Sequence, residues 1–215
     1  MGDSQSNAQT VANYLLATTQ FTSVTAYDGT TLTLTDLQGY QQVLFFSNSN
    51  GGSDPLVGNV LADFADTGKR LVLATFVWAD QGANTLGGRI VTDAISPLAF
   101  TGTTAYSNVT IASTDGGAFF TGVNSISGYY HDNVQAVSGA RVLGTWSDGN
   151  PLLAVKGNVV GVNLFPDTTF GSISGDYVQL FTNSLIAPIP EPGTTALLAT
   201  GSVLLLLGRI RKGRD

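Results

Sequence analysis

Two apolar runs, Val43-Leu44-Phe45-Phe46 and residues 71–77, constrain this chain more than anything else in it. A strand with one wet face alternates apolar and polar residues, whereas an unbroken run suits a strand buried on both faces, as in a parallel sheet. Between the runs lies the best-punctuated helix of the sequence. Ser53 or Asp54 would cap it, Pro55 sits in its first turn, Val57, Val60, Leu61, Phe64 and Ala65 share one face, and Gly68 stops it. Strand, helix and strand of these lengths predict a right-handed crossover and a parallel pair. Upstream, Ala8, Val11, Ala12, Leu15 and Leu16 form one face of a helix capped by Ser6 or Asn7, and a strand is expected at residues 21–26.

The second half reads differently. Short strands are expected at 109–112, 141–146, 152–156 and 159–165, separated by Gly, Asn and Asp turns. Lys156-Gly157-Asn158-Val159 predicts a tight hairpin, because Gly and Asn accept positive φ. A closing helix over 176–186 would place Tyr177, Leu180, Phe181 and Leu185 on one face. These Thr/Ser/Gly-rich strands would also suit an all-β adhesin, which the helix at 54–67 would not.

At 215 residues the chain fits one domain, 1–187, and a tail, 188–215. The tail runs from Pro190-Glu191-Pro192 through an apolar stretch, 196–207, to Arg209, Arg211, Lys212 and Arg214. Proline fixes φ and removes an N–H, so Pro-Glu-Pro keeps an open linker before the apolar part. The six leucines Leu197, Leu198 and Leu204 to Leu207 favour insertion into lipid by roughly 2 to 4 kcal/mol in total, and the basic end stays cytoplasmic. That order of parts resembles the PEP-CTERM sorting tail of Gram-negative bacteria. The resemblance implies cleavage by an exosortase, an inner-membrane anchor before processing, and final residence in the cell envelope or extracellular matrix, where exopolysaccharide is an expected associate.

Composition narrows the partners. The net charge is −6, and charged residues make up only 11% of the chain. Removing the tail's basic cluster leaves the domain more acidic still, so nucleic acid is not an expected partner: phosphate binding needs a basic patch. With no cysteine there is no disulfide, thiolate metal site or thiol nucleophile. No cofactor or metal motif is present, and Asp115-Gly116-Gly117 lacks the Lys and Ser/Thr of a phosphate loop. An exported chain should begin with a basic and then apolar leader. Met1-Gly2-Asp3-Ser4-Gln5-Ser6-Asn7 is polar instead, so an upstream leader and a first strand, central in doubly wound folds, are expected to precede it.

Gly161-Val162-Asn163-Leu164-Phe165-Pro166-Asp167 resembles the strand and turn of class I glutamine amidotransferase-like proteins, Gly-x-Gln-Phe-His-Pro-Glu in active members. A turn at Asp148-Gly149-Asn150-Pro151 before it and a helix after it agree in order. The resemblance spans residues 8–186 and implies an α/β, flavodoxin-like, mostly parallel sheet with helices on both faces, its first strand missing. It also implies a Cys–His dyad. Here the turn after residues 71–77 reads Trp78-Ala79-Asp80-Gln81, and the histidine position holds Phe165. The domain is therefore expected to be catalytically degenerate, with a binding or structural role, and Asp167, with nothing to orient, to be a turn residue.

Open α/β sheets bind ligands beyond the carboxyl ends of their strands. Ser47, Asn48, Asp80, Gln81 and His131 are the candidate ligand rim. His131 is the sole histidine. It is read as a solvated loop residue, the alternative being a base paired with Asp132 or a metal ligand. Asp80, His131 and Asp132 would carry the rival reading, a hydrolase or carbohydrate-active enzyme. Gly87-Gly88 would cap a short helix and leave Arg89 available to an anion.

Overall fold

The computed structural model describes residues 5–48, 55–78, 85–168 and 172–189. Helices α1 (Gln5–Ala17), α2 (Leu34–Leu37), α3 (Pro55–Asp66), α4 (Arg89–Thr92) and α5 (Tyr177–Ile186) accompany eight strands. The strands are β1 (Gln42–Phe45), β2 (Arg70–Ala74), β3 (Leu98–Thr114), β4 (Ile126–Ala136), β5 (Arg141–Trp146), β6 (Pro151–Lys156), β7 (Val159–Val162) and β8 (Ile173–Gly175). They form one sheet in the order β1-β2-β7-β6-β5-β3-β4-β8.

The two apolar runs do what their composition requires. β1 and β2 pair in parallel, Val43 opposite Leu71 and Phe45 opposite Leu73, and β2 pairs in parallel with β7. Successive side chains of a strand point to opposite faces. Val43, Phe45, Leu71 and Leu73 therefore meet α3 through Val57, Leu61 and Phe64, while Leu44, Phe46, Val72 and Ala74 lie in a second core with Val11, Leu15, Leu180 and Phe181. Each fully buried Leu or Phe contributes about 1.5 to 3 kcal/mol, so both faces must be covered and no polar face can exist. Gly68 ends α3 with φ at +82°, its N–H donating to the Ala65 carbonyl at 2.9 Å.

The flavodoxin-like expectation fails beyond these strands. Among the described residues only two of the seven strand pairings are parallel, and the mixed sheet curls into a half-barrel instead of staying open with helices on both faces. β1, β2 and β7 are direct neighbours, with no place for a further central strand between them. The physical reason lies in β3 and β4, 17 and 11 residues long. They pair antiparallel, through two register breaks, and extend the sheet where a doubly wound fold would carry another helical crossover. An all-β architecture is equally excluded by α1, α3 and α5.

Smaller expectations are corrected as well. Residues 21–26 form no strand; with α1, residues 40–44 and the end of α5 they wall a recess of about 390 Å³ beside β1. The hairpin at Gly157 is present, φ +55°, joining β6 to β7. Gly88 does precede the short α4, but Arg89 is not left for an anion: it bonds the carboxylates of Asp63, Asp66 and Asp93. Among the described residues no helix is long and apolar enough to cross a membrane. The sorting motif Pro190, Glu191, Pro192, the apolar stretch and the basic end lie outside those residues, as do the expected caps Ser53 and Asp54.

Candidate functional site

The carboxyl ends of β1, β2 and β7 converge, as in any parallel unit, and the chain continues from them as Phe46-Ser47-Asn48, Thr75-Phe76-Val77-Trp78 and Asn163-Leu164-Phe165. The Phe76 N–H donates to the Ser47 carbonyl at 3.0 Å, and the Phe165 N–H donates to the Tyr130 carbonyl at 3.3 Å. The second contact brings β4 across the strand ends.

Asn163 organises this junction. Its carboxamide oxygen accepts from the Asp132 N–H at 2.7 Å and from the Thr75 hydroxyl at 3.0 Å. Its amide nitrogen donates to the Asp132 carbonyl at 2.9 Å and to the Pro151 carbonyl at 3.0 Å. Its backbone N–H bonds the Leu152 carbonyl, and its own carbonyl accepts from the Trp146 indole at 2.8 Å. A buried amide has two donors and two lone pairs to satisfy, and every one is used.

Asp132 projects from β4 into the same interior and is fully buried. One carboxyl oxygen accepts from Thr104, its cross-strand partner on β3, at 3.1 Å; the other has no partner within 3.5 Å among the described residues. Burial pushes its pKa up to about 7, against the opposing pull of the Thr104 hydroxyl and the Trp78 backbone.

Aromatic rings close the space above the strand ends. Phe165 packs on Phe76 with centroids 4.9 Å apart and meets Phe46 edge-on at 5.8 Å. Tyr130 continues the cluster outward, 5.6 Å from Phe76 and 6.3 Å from Phe165. Such offset and edge-on contacts add about 0.5 to 1.5 kcal/mol each beyond area burial.

The residues of the predicted rim stand in unlike settings. Ser47 is fully buried, Asn48 is half-buried beside it, and Asp80 and Gln81 lie outside the described residues. His131 is no solvated loop residue. It is fully buried on β4, its Nε2 2.6 Å from an oxygen of Asp148, while its Nδ1 has no partner. It does not pair with Asp132, because adjacent strand residues face opposite ways. Burial alone would raise the Asp148 carboxyl, but hydrogen bonds from Asn150 and His131 hold it below its ordinary value. Asp167 follows β7 in a stretch with no assigned turn and is fully buried; the phenol pKa of Tyr14 is raised by burial first, then by Tyr177 and Asp167.

Within its sequence motif Asn163 carries no role that the residues themselves assign. The usable signal was its position, immediately after a wholly apolar strand, where a buried amide needs partners.

These features define a mixed α/β domain whose parallel strand ends are knit by one asparagine and roofed by aromatic rings. No protein-family model matches the sequence, and no curated protein matches it. Solved structures do. The cytoplasmic protein STM3548 from Salmonella typhimurium is 14% identical, with 83% of this chain and 85% of that one covered at a TM-score of 0.63. The cytoplasmic protein STM1381 from Salmonella typhimurium LT2 is 16% identical over 81% and 85%, TM-score 0.59. A ThuA-like protein from Bacteroides uniformis is 9% identical over 84% and 85%, TM-score 0.52. At such identities the likeness is one of fold alone.

Proposed function

We propose that this is an exported cell-surface or extracellular-matrix protein, sorted by an exosortase through its Pro-Glu-Pro tail, whose domain binds without catalysing and associates with exopolysaccharide. The supporting observation is Phe165. Where the resembled amidotransferase-like family carries a catalytic histidine, this chain has a ring 1% exposed, packed on Phe46 and Phe76. A proton acceptor there would be replaced by a hydrophobic plug, and a nucleophile would have nothing to activate it. The buried polar groups of Thr75 and Asn163, at the ends of β2 and β7, are bonded to one another, which supports a framework role for them.

The hydrolase alternative has weaker support. His131 is sealed from solvent and bonded to Asp148, so it is poorly placed to meet a substrate. The test is a panel of esters, amides and glycosides offered to the full chain in mild detergent. No turnover is expected. Turnover that disappears in His131→Ala or Asp80→Ala would overturn the non-catalytic reading.

A further inference from the structure

Between Tyr106 and Val109 the β3–β4 ladder slips: Tyr106 faces Tyr130 and Val109 faces Gly128, so Ser107 and Asn108 together oppose Tyr129. Two residues against one is a β-bulge, a device that re-aims side chains beside functional surfaces. Here it turns Asn108 toward a recess of about 270 Å³ that is also lined by Ser127, Tyr129, Tyr130, Ser172 and Ser174. Tyr106, 56% exposed, stands at its side, with its ring centroid 6.4 Å from Tyr129 and 5.7 Å from Tyr130; Tyr129 and Tyr130 meet edge-on at 5.0 Å.

The chemistry of this ledge is specific in three ways. Its rings offer π faces, which attract the C–H faces of a saturated ring. Its polar groups are neutral hydroxyls and an amide, able both to donate and to accept. Among the described residues lining the recess none carries a charge. One lining hydroxyl, the Ser172 Oγ, is shielded from solvent and has no hydrogen-bond partner among the described residues. A ligand with apolar C–H faces, many hydroxyls and no charge matches all three.

We infer that the Tyr106–Tyr129–Tyr130 ledge and the adjoining recess bind a neutral polysaccharide, a hexose polymer stacked against the exposed Tyr106 ring with hydroxyls directed at Asn108 and Ser174. This rests on the polysaccharide-associated reading above and names its site and ligand class. The uncharged lining on an acidic chain argues against polyanionic glycans, which would meet repulsion and no compensating cation.

The test is affinity electrophoresis of the full chain in mild detergent through native gels containing laminarin, dextran, hydroxyethyl cellulose or alginate. Retardation by at least one neutral glucan and not by alginate is expected. Tyr106→Ala and Tyr129→Ala should each weaken it tenfold or more, Tyr106→Trp should preserve it, and Phe100→Ala, an exposed aromatic elsewhere on β3, should leave it unchanged. Unaltered thermal melting of Tyr106→Ala, whose ring is largely exposed, separates lost binding from lost fold. Retardation that survives both tyrosine substitutions would overturn the ledge while leaving polysaccharide association intact. A wild-type chain that no polymer retards would overturn both, and preference for alginate would overturn the neutral class.

Discussion

Asn163 bonds the backbone of Asp132 as a neighbouring strand would, its carboxamide accepting from the Asp132 N–H at 2.7 Å and donating to the Asp132 carbonyl at 2.9 Å. A single side chain thereby joins β7, at the end of the parallel unit, to β4 in the antiparallel half. Asn163→Ala strands four buried groups, on Thr75, Asp132 twice and Pro151. At about 1 to 3 kcal/mol for each unsatisfied group, partly relieved by relaxation, the expected loss is about 3 to 5 kcal/mol. Thermal unfolding followed by circular dichroism should show a Tm lower by roughly 10 °C. A fall of less than 2 °C would mean that the junction holds without it.

Asp132 sets a pH dependence with a definite sign. Its folded pKa, about 7, lies above the ordinary 3.8, so the native state keeps a proton that the unfolded chain gives up. Its stabilising effect is complete below about pH 4 and is lost as pH rises to about 7, on the order of 4 kcal/mol over that interval. Asp148 works the other way, its lowered pKa withdrawing stability only as pH falls through the acid range. Urea unfolding from pH 4 to 8 should therefore find maximal stability in mildly acidic solution. Asp132→Asn should flatten the decline towards neutrality and be more stable than the wild type at pH 7.5. If the two proteins show parallel pH profiles, the carboxyl is not titrating as described.

Arg70 reaches from the start of β2 to the end of α5, its guanidinium donating to the carbonyls of Ser184 at 2.9 Å and Ala187 at 2.8 Å. Burial lowers its pKa. These carbonyls belong to the last turn of a helix, which has no internal donors for them. Arg70→Met keeps the apolar stem and removes both bonds, which should cost about 2 to 3 kcal/mol. Limited proteolysis near Pro188 should accelerate before global unfolding does. An unchanged cleavage rate would show that α5 is anchored by its apolar face alone.

Gly58 of α3 lies where a Cβ would come within 1.7 Å of the Gly87 carbonyl oxygen. That neighbour is backbone and cannot rotate away, so Gly58→Ala should separate α3 from α4. The helix-propensity gain of about 1 kcal/mol is too small to offset such overpacking, which costs typically 1 to 3 kcal/mol. Differential scanning calorimetry should record a lower Tm, and a rise would contradict the close approach.

The parts of the fold legible in the sequence were those whose signal is local. Val43 to Phe46 and the apolar face and stop of α3 declare a buried strand and a crossover helix without tertiary information, and so does the Gly157-Asn158 hairpin. β4 was invisible because Gly128-Tyr129-Tyr130-His131-Asp132-Asn133 contains no alternation and several poor strand formers. It is held in place by pairing with β3 and by Asn163, contacts about thirty residues distant in sequence. His131 is obscured for the same reason: an isolated histidine amid Gly, Asp and Asn looks like a loop until its strand is known. The aromatic roof escaped notice because Phe46, Phe76, Tyr130 and Phe165 come from four separate segments.

The central claim, an exported binding domain released from its own tail, is tested most directly by the intact mass of the protein recovered from its native host. The account predicts a species outside the cytosol whose chain ends near Pro190, without the apolar stretch and the basic cluster from Arg209 to Arg214. A full-length chain ending at Asp215 and dissolved in the cytosol would contradict it.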